Sequence, residues 1–169
     1  MVNSLSISKT DFFESARIVY RGINETDTND LVKWRSDPEI IRFFRNPKPL
    51  LLHDHLDWFR NSYLKNNKRF DFIISDKFRA EKIGTVGVSD INYEKNSCEI
   101  SFMVAEQNYR RKGLASEAIM SLMDRILEEG IDVFFAEIHK DNIASIRTVE
   151  KLGYMRSKET DDFLIFCKR

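Results

Sequence analysis

Apolar positions in this chain recur at two spacings, and the switches between them divide it into strands and helices. Ile18, Tyr20 and Gly22 alternate with Arg17, Val19 and Arg21, the period of a strand with one covered face. Thr26 or Asp27 then offers a cap for a helix carrying Leu31, Trp34 and Arg35, and Pro38 limits that helix. Asn46-Pro47-Lys48-Pro49 is the strongest loop signal in the sequence. Beyond it, Leu52, Leu56, Phe59 and Tyr63 line one face of a second helix.

Period two returns at residues 69–74, with Phe70, Phe72 and Ile74 inward, and at 82–88, marked by Ile83, Val86 and Val88. A turn at 92–96 pairs the latter with a strand at 98–104, in which Ile100, Phe102 and Val104 share one face and Glu99, Ser101 and Met103 the other. The basic segment Arg110-Arg111-Lys112-Gly113-Leu114-Ala115 then runs straight into a helical stripe of Leu114, Ala118, Leu122 and Ile126, widened by Ile119 and Met123. A further strand spans 131–138, and a short helix closed by Gly153 lies within 141–154. Two last strands, 154–158 and 163–167, flank the turn Thr160-Asp161-Asp162. Antiparallel strands thus precede helix-linked ones, which predicts a mixed sheet with about four helices on its faces.

Composition narrows the class. At 169 residues the chain is expected to form one domain at 16–169, with 1–15 as an N-terminal extension of little periodicity. Lys plus Arg and Asp plus Glu are each 27, so the net charge is zero and a nucleic-acid partner is not expected. No apolar stretch approaches a membrane span and residues 1–13 hold no signal-peptide core, so a cytoplasmic protein without a membrane partner is expected. Cys98 and Cys167 sit in apolar strands, where a cysteine acts as a small hydrophobe, and no metal is expected.

The segment at 110–115 carries the first chemical signal. The leading N–H groups of a helix have no partner inside it, and the macrodipole leaves partial positive charge there, so a pyrophosphate can sit on that end. Gly113 lets the backbone come close, while Arg110, Arg111 and Lys112 add attraction that salt screens. Taken by itself, the segment reads equally well as an exposed basic turn.

The run from Glu99 to Tyr154 resembles the core of the GNAT superfamily of N-acetyltransferases. The acetyl-CoA loop of that family has the form Arg or Gln, any two residues, Gly, any residue, Gly or Ala, and Arg110, Gly113 and Ala115 stand in those places. A second match, Asn142 through Gly153-Tyr154, is similar to the family's Asn-x-x-Ser or Asn-x-x-Ala helix ending in Lys-x-Gly-aromatic. The resemblance implies an α/β fold with a central, mostly antiparallel sheet of about six to seven strands, splayed in the middle and flanked by about four helices. It also implies acetyl-CoA as cosubstrate and direct attack of a primary amine on the thioester in a ternary complex.

Site residues follow from the same resemblance. Backbone N–H groups of Phe102, Met103 and Val104 would meet the pantetheine and the acetyl oxygen, and residues 110–115 the diphosphate. Asn142 would bond the pantetheine arm, with Ser145 facing the same groove; by residue type alone Asn142 is a helix cap. Where many relatives carry a tyrosine that protonates the departing thiolate, this chain has Val149, which leaves that acid open, and Tyr154 is expected to pack. Glu99 is the candidate general base, against an equal reading as half of a cross-strand salt bridge, and His53 and His55 are alternatives.

The acceptor would be chosen by residues 31–64. Their segments look like the branch that acetylates amines on nucleotide-linked deoxy-amino sugars, with Trp34 or Trp58 stacking, Arg35 or Arg42 pairing with a diphosphate, and His55 nearby. The bland counterpart is that both tryptophans are core and both arginines solvated. Asn142-x-x-Ser145 without tyrosine also resembles the branch acting on ribosomal-protein N-termini, and a non-catalytic acetyl-CoA-binding module is a third alternative. A homodimer is left open.

Overall fold

The computed structural model describes residues 7–169. Alternation decides its sheet. β1 (Phe12–Glu14) is a short edge strand, and β2 (Ile18–Gly22) beside it buries Ile18, Tyr20 and Gly22 on the period read from the sequence. There follow β3 (Phe70–Asp76), β4 (Lys82–Asn92), β5 (Ser97–Val104), β6 (Val133–His139), β7 (Met155–Glu159) and β8 (Phe163–Lys168). The order across the sheet is β1-β2-β3-β4-β5-β6-β8-β7, antiparallel except where β5 meets β6. The expected extension at 1–15 thus contributes a strand, and its residues 1–6 lie outside the described residues.

Among the described residues, five α-helices cover the faces: α1 (Thr28–Arg35), α2 (Pro38–Ile41), α3 (Leu52–Trp58), α4 (Leu114–Leu127) and α5 (Ile143–Lys151). On one face Phe72, Val86, Ile100, Phe134 and Ala136 form a core with Ala118, Ile119, Leu122 and Ile126 of α4. Each fully buried Leu or Ile is worth about 1.5–3 kcal/mol, so this stripe fastens α4 to the sheet. On the other face a smaller cluster joins Ile73 to Leu31, Trp34, Phe59 and Tyr63.

Three details of the first helices differ from the expectation. The cap before α1 is Asn24, which forms a capping box with Asp27 around a short 3-10 turn that leads into the helix. Pro38 opens a helix as well as closing one: it stands in the first turn of α2, where its missing N–H costs nothing, and Asp37 caps by accepting from the Glu39 N–H. The inward residues of α3 are His55 and, beyond it, Phe59 and Tyr63, whereas Leu52 is 48 % exposed. A π turn at Phe59–Tyr63, in which the Leu64 N–H reaches back to the Phe59 carbonyl, inserts one extra residue and shifts the face.

The middle of the sheet opens. β5 and β6 pair only from Ser97↔Val133 to Glu99↔Phe135. Beyond that point β5 stays with β4 up to Val104↔Gly84, while β6 stays with β8 up to His139↔Phe163. A wedge therefore separates the C-terminal half of β5 from β6.

Candidate active site

The wedge frees one edge of β5. The Ala105 N–H bonds to the Ile83 carbonyl at 2.8 Å, and alternation back along the strand commits Met103 and Ser101 to β4. Phe102 and Val104 turn their N–H groups towards the gap. Met103 is thus a correction: its amide belongs to the β4 ladder, and the open donors of the expected trio are Phe102 and Val104.

The basic loop sits just past the wedge. Arg111 (φ 61°) and Gly113 (φ 75°) both adopt left-handed backbone, and Gly113 is the N-cap of α4 with no side chain capping the helix. The first bond back is from the Glu117 N–H to the Gly113 carbonyl at 3.1 Å, so the amides of Leu114, Ala115 and Ser116 precede the helical ladder. A Cβ on Gly113 would meet nothing nearer than Arg17 Nη2 at 3.6 Å; the positive φ is what asks for glycine. Left-handed turns leading into free helical amides are a cradle that fits a diphosphate.

The cations divide their work differently from the expectation. Arg110 donates to the carbonyls of Val104 (3.2 Å) and Ala105 (2.7 Å), so its guanidinium ties the loop to the end of β5. Arg111 and Lys112 remain exposed. Arg17, at the start of β2, is a brace that sequence reasoning missed. Its Nε donates to Glu117 at 2.7 Å, its backbone N–H to the same carboxylate at 2.8 Å, and its Nη1 to the Lys112 carbonyl at 2.8 Å. Burial pushes the Glu117 carboxyl up, yet the bonds from Ser15 and Arg17 outweigh it and hold it below the usual range. No local pattern could have joined residues a hundred positions apart.

Asn142 is the N-cap of α5. Its Oδ1 accepts from the Ser145 N–H at 3.2 Å as an N-cap, which leaves the Nδ2 hydrogens to donate elsewhere. Val149 is fully buried in the main core. Tyr154 packs as expected, 3 % exposed, with its hydroxyl donating to Met123 Sδ at 3.4 Å.

On the face of the sheet opposite α4 lie Glu99, Ser101 and Met103, the last packed against the smaller core. Ser101 is exposed: it pairs with Gly87 of β4 and lies past the last residue at which β5 meets β6. The residues opposite Glu99 are Ser89 and Phe135, and Glu99 forms no ion pair among the described residues. Burial first, then the charges of Asp90 and Glu137, push its carboxyl above the usual range, against Arg45 and Arg69. Glu137, on β6, is bound at two points by Arg45, with Nε at 2.5 Å from Oε1. Neither residue was singled out from sequence, although a carboxylate within the apolar strand 131–138 was a legible signal.

The four residues expected to meet an acceptor separate. Trp34 is a correction: it is 3 % exposed in the smaller core, its Nε1 donating to Glu106 at 2.7 Å, and it offers no stacking face. His55 is also buried, 3 % exposed, with neither ring nitrogen hydrogen-bonded; burial and the neighbouring Arg35 charge push it down, so it stays neutral. Trp58 is half-buried, with the Arg69 guanidinium 5.0 Å from its ring centre. Arg35 is half-buried, makes no ion pair among the described residues and lines a cavity of about 340 Å³ together with Phe44, Lys48, Pro49 and Asp54. His53 is exposed beside Asp54, and Arg42 is exposed over the Phe43 ring.

Comparison with known proteins agrees with this architecture. The uncharacterized protein MJ1062 of Methanocaldococcus jannaschii is 29 % identical over 149 residues, which are 86 % of this chain and 30 % of that protein. The chain therefore spans about a third of the length of that relative. A domain crystallised from Methanocaldococcus jannaschii superposes with a TM-score of 0.80 at 26 % identity, covering 93 % of this chain and 98 % of that one. Spermidine N-acetyltransferase from Vibrio cholerae, solved with CoA and spermine, has the same fold at 17 % identity, with a TM-score of 0.79 over 90 % of this chain and 95 % of that one. The model of the acetyltransferase (GNAT) domain matches residues 17–155. The chain belongs to that family.

Proposed function

We propose that this protein is an acetyl-CoA-dependent N-acetyltransferase whose acceptor is the amino group of a nucleotide-linked deoxy-amino sugar. The observation that carries the first half is the wedge with its two free β5 amides, continued by the left-handed turn at Gly113 and the uncapped start of α4. The amides of 114–116 would hold the diphosphate, and those of Phe102 and Val104, with Asn142 Nδ2, the pantetheine arm. When bound, acetyl-CoA supplies an activated acyl group as a thioester.

The residues of the chain then have two tasks. The attacking amine must be uncharged, and Glu99, unpaired and with a raised carboxyl pKa, is suited to accept its proton directly or through water. Donors aimed where negative charge develops lower the barrier, and the β5 amides at the wedge fill that role. Val149 supplies no acid, so the leaving thiolate takes its proton from water.

Arg35 supports the sugar nucleotide. A half-buried guanidinium that forms no ion pair among the described residues, in a cavity lined also by Lys48, the Phe44 ring and the single carboxylate Asp54, suits a diphosphate beside an apolar or planar group. Thiol release should be followed with three acceptors: a nucleotide-linked amino sugar, the same sugar without its nucleotide, and peptides with free N-termini. Turnover should be highest with the first. A preference for peptides would transfer the assignment to protein N-termini, and thermal stabilisation by acetyl-CoA with no thiol released would leave a binding module.

A further inference from the structure

Two carboxylates and one arginine meet on the acceptor face from three elements distant in sequence. Glu99 lies beside Phe135, and Glu137 comes two residues later on β6, on the same face as Phe135. The Glu137 side chain is 12 % exposed, whereas that of Arg45 is 73 % exposed and reaches it from the loop between α2 and α3. The pair therefore joins a largely buried carboxylate on the sheet to an exposed cation of the loop. Phe43 of the same loop lies 5.9 Å from the His139 ring, a second contact across the same gap.

We infer that Arg45 is a positioning residue for the proposed reaction: by neutralising Glu137 it governs whether the neighbouring Glu99 is charged. The inference rests on the reading of Glu99 as the base. The charged groups around Glu99 come from every element packed near it: Asp90 from β4, Glu137 and, further along, His139 from β6, Arg45 from the loop and Arg69 from just before β3. Among these, only Arg45 and Glu137 form an ion pair with each other. Removing Arg45 leaves the charge of Glu137 uncompensated beside Glu99 and disfavours the Glu99 carboxylate. Removing the charge of Glu137 does the opposite, because repulsion disappears and Arg45 is left for Glu99. The two halves of one ion pair thus act with opposite sign, whereas a merely structural pair would have the same effect whichever half is lost.

The test is a ¹³C titration of the Glu99 carboxyl in the whole protein, assigned by its absence in Glu99→Gln, for wild type, Arg45→Met, Arg45→Lys and Glu137→Gln. The Glu99 transition should move to higher pH in Arg45→Met, to lower pH in Glu137→Gln, and stay near wild type in Arg45→Lys. The acid limb of kcat/KM should follow the same order, with stabilisation by acetyl-CoA unchanged. Shifts in one common direction, or none, would overturn the inference. The base reading fails separately if Glu99→Gln turns over as fast as wild type, and the titration still ranks the variants in that case.

Discussion

The proposed cofactor end and the proposed acceptor face lie on either side of one splayed strand pair, yet they are assembled from different kinds of information. The cofactor end is backbone: free amides on β5, a left-handed glycine and the start of a helix, all within a short stretch of chain. The proposed acceptor face is side chains brought together by the fold: Glu99 from β5, Glu137 from β6 and Arg45 from a loop. A backbone site tolerates changes of side chain except where conformation is at stake. A side-chain site fails when any one of its supports moves.

The largest effect should come from undoing what holds the acceptor side in place. Asp27 is fully buried between the first helix and the sheet, and accepts from Arg21 at 2.7 Å, Lys82 at 2.9 Å and the Asn24 N–H at 2.9 Å. Asp27→Asn leaves two cations partly stranded and should cost about 3 kcal/mol of unfolding free energy in urea, the low end for a broken buried pair because both cations keep contact with water. Burial raises the Asp27 carboxyl, but Arg21, the Asn24 N–H and Lys82 outweigh it and leave it lowered. A lowered folded pKa means stability that is present above the unfolded value and lost as pH falls through the folded one. The gap between wild type and Asp27→Asn should therefore narrow below about pH 4. A gap that widened in acid would reverse the sign.

Next in size is Gly113→Val, aimed at the cofactor end. At φ 75° a β-branched residue is strained, and the turn must give way. Affinity for acetyl-CoA should fall about 10–100-fold, or about 1.4–2.8 kcal/mol by calorimetry, with the chain still folded. Unchanged affinity would mean that the diphosphate lies elsewhere. Smaller again is Arg17→Ala, which removes the brace on the same loop. KM for acetyl-CoA should rise about threefold to tenfold while kcat holds, since only uniform binding is lost. A fall in kcat without a change in KM would detach Arg17 from the loop.

This contrast also explains what could be read from the chain in advance. Period-two and helical stripes placed most of the strands, α4 and α5 within a few residues, because each is a local pattern that one buried face enforces. The strand at Phe12–Glu14 was missed because three residues carry no periodicity, and its place depends on pairing with β2. The turn of α3 was misjudged because the π insertion has no signature in residue type. At the site, Gly113 and Asn142 were legible as local backbone devices. Arg17, Arg45 and Glu137 were not singled out, since each matters only through a partner that the sheet brings to it. The bracing role of Arg110 was hidden for the same reason: only the fold brings the Val104 and Ala105 carbonyls to its guanidinium.

Trp34 is the smallest and sharpest test, because the resemblance implied an acceptor role for it against a plain reading as core. Its ring fills the smaller core with Leu31 and Phe59, and its Nε1 bond reaches Glu106, whose side chain is 37 % exposed. Trp34→Phe keeps an aromatic ring and lets Glu106 turn to water, so the loss is one hydrogen bond and some packing, about 1 kcal/mol. If the tryptophan only packs, KM for the acceptor should stay within about twofold, because half a kcal/mol is the most that a small shift of α1 would pass to Arg35. A tenfold rise in acceptor KM at unchanged stability would require a ring face that the fold keeps covered. That result would show the smaller core opening during turnover, and the acceptor side would then be a site made partly by motion.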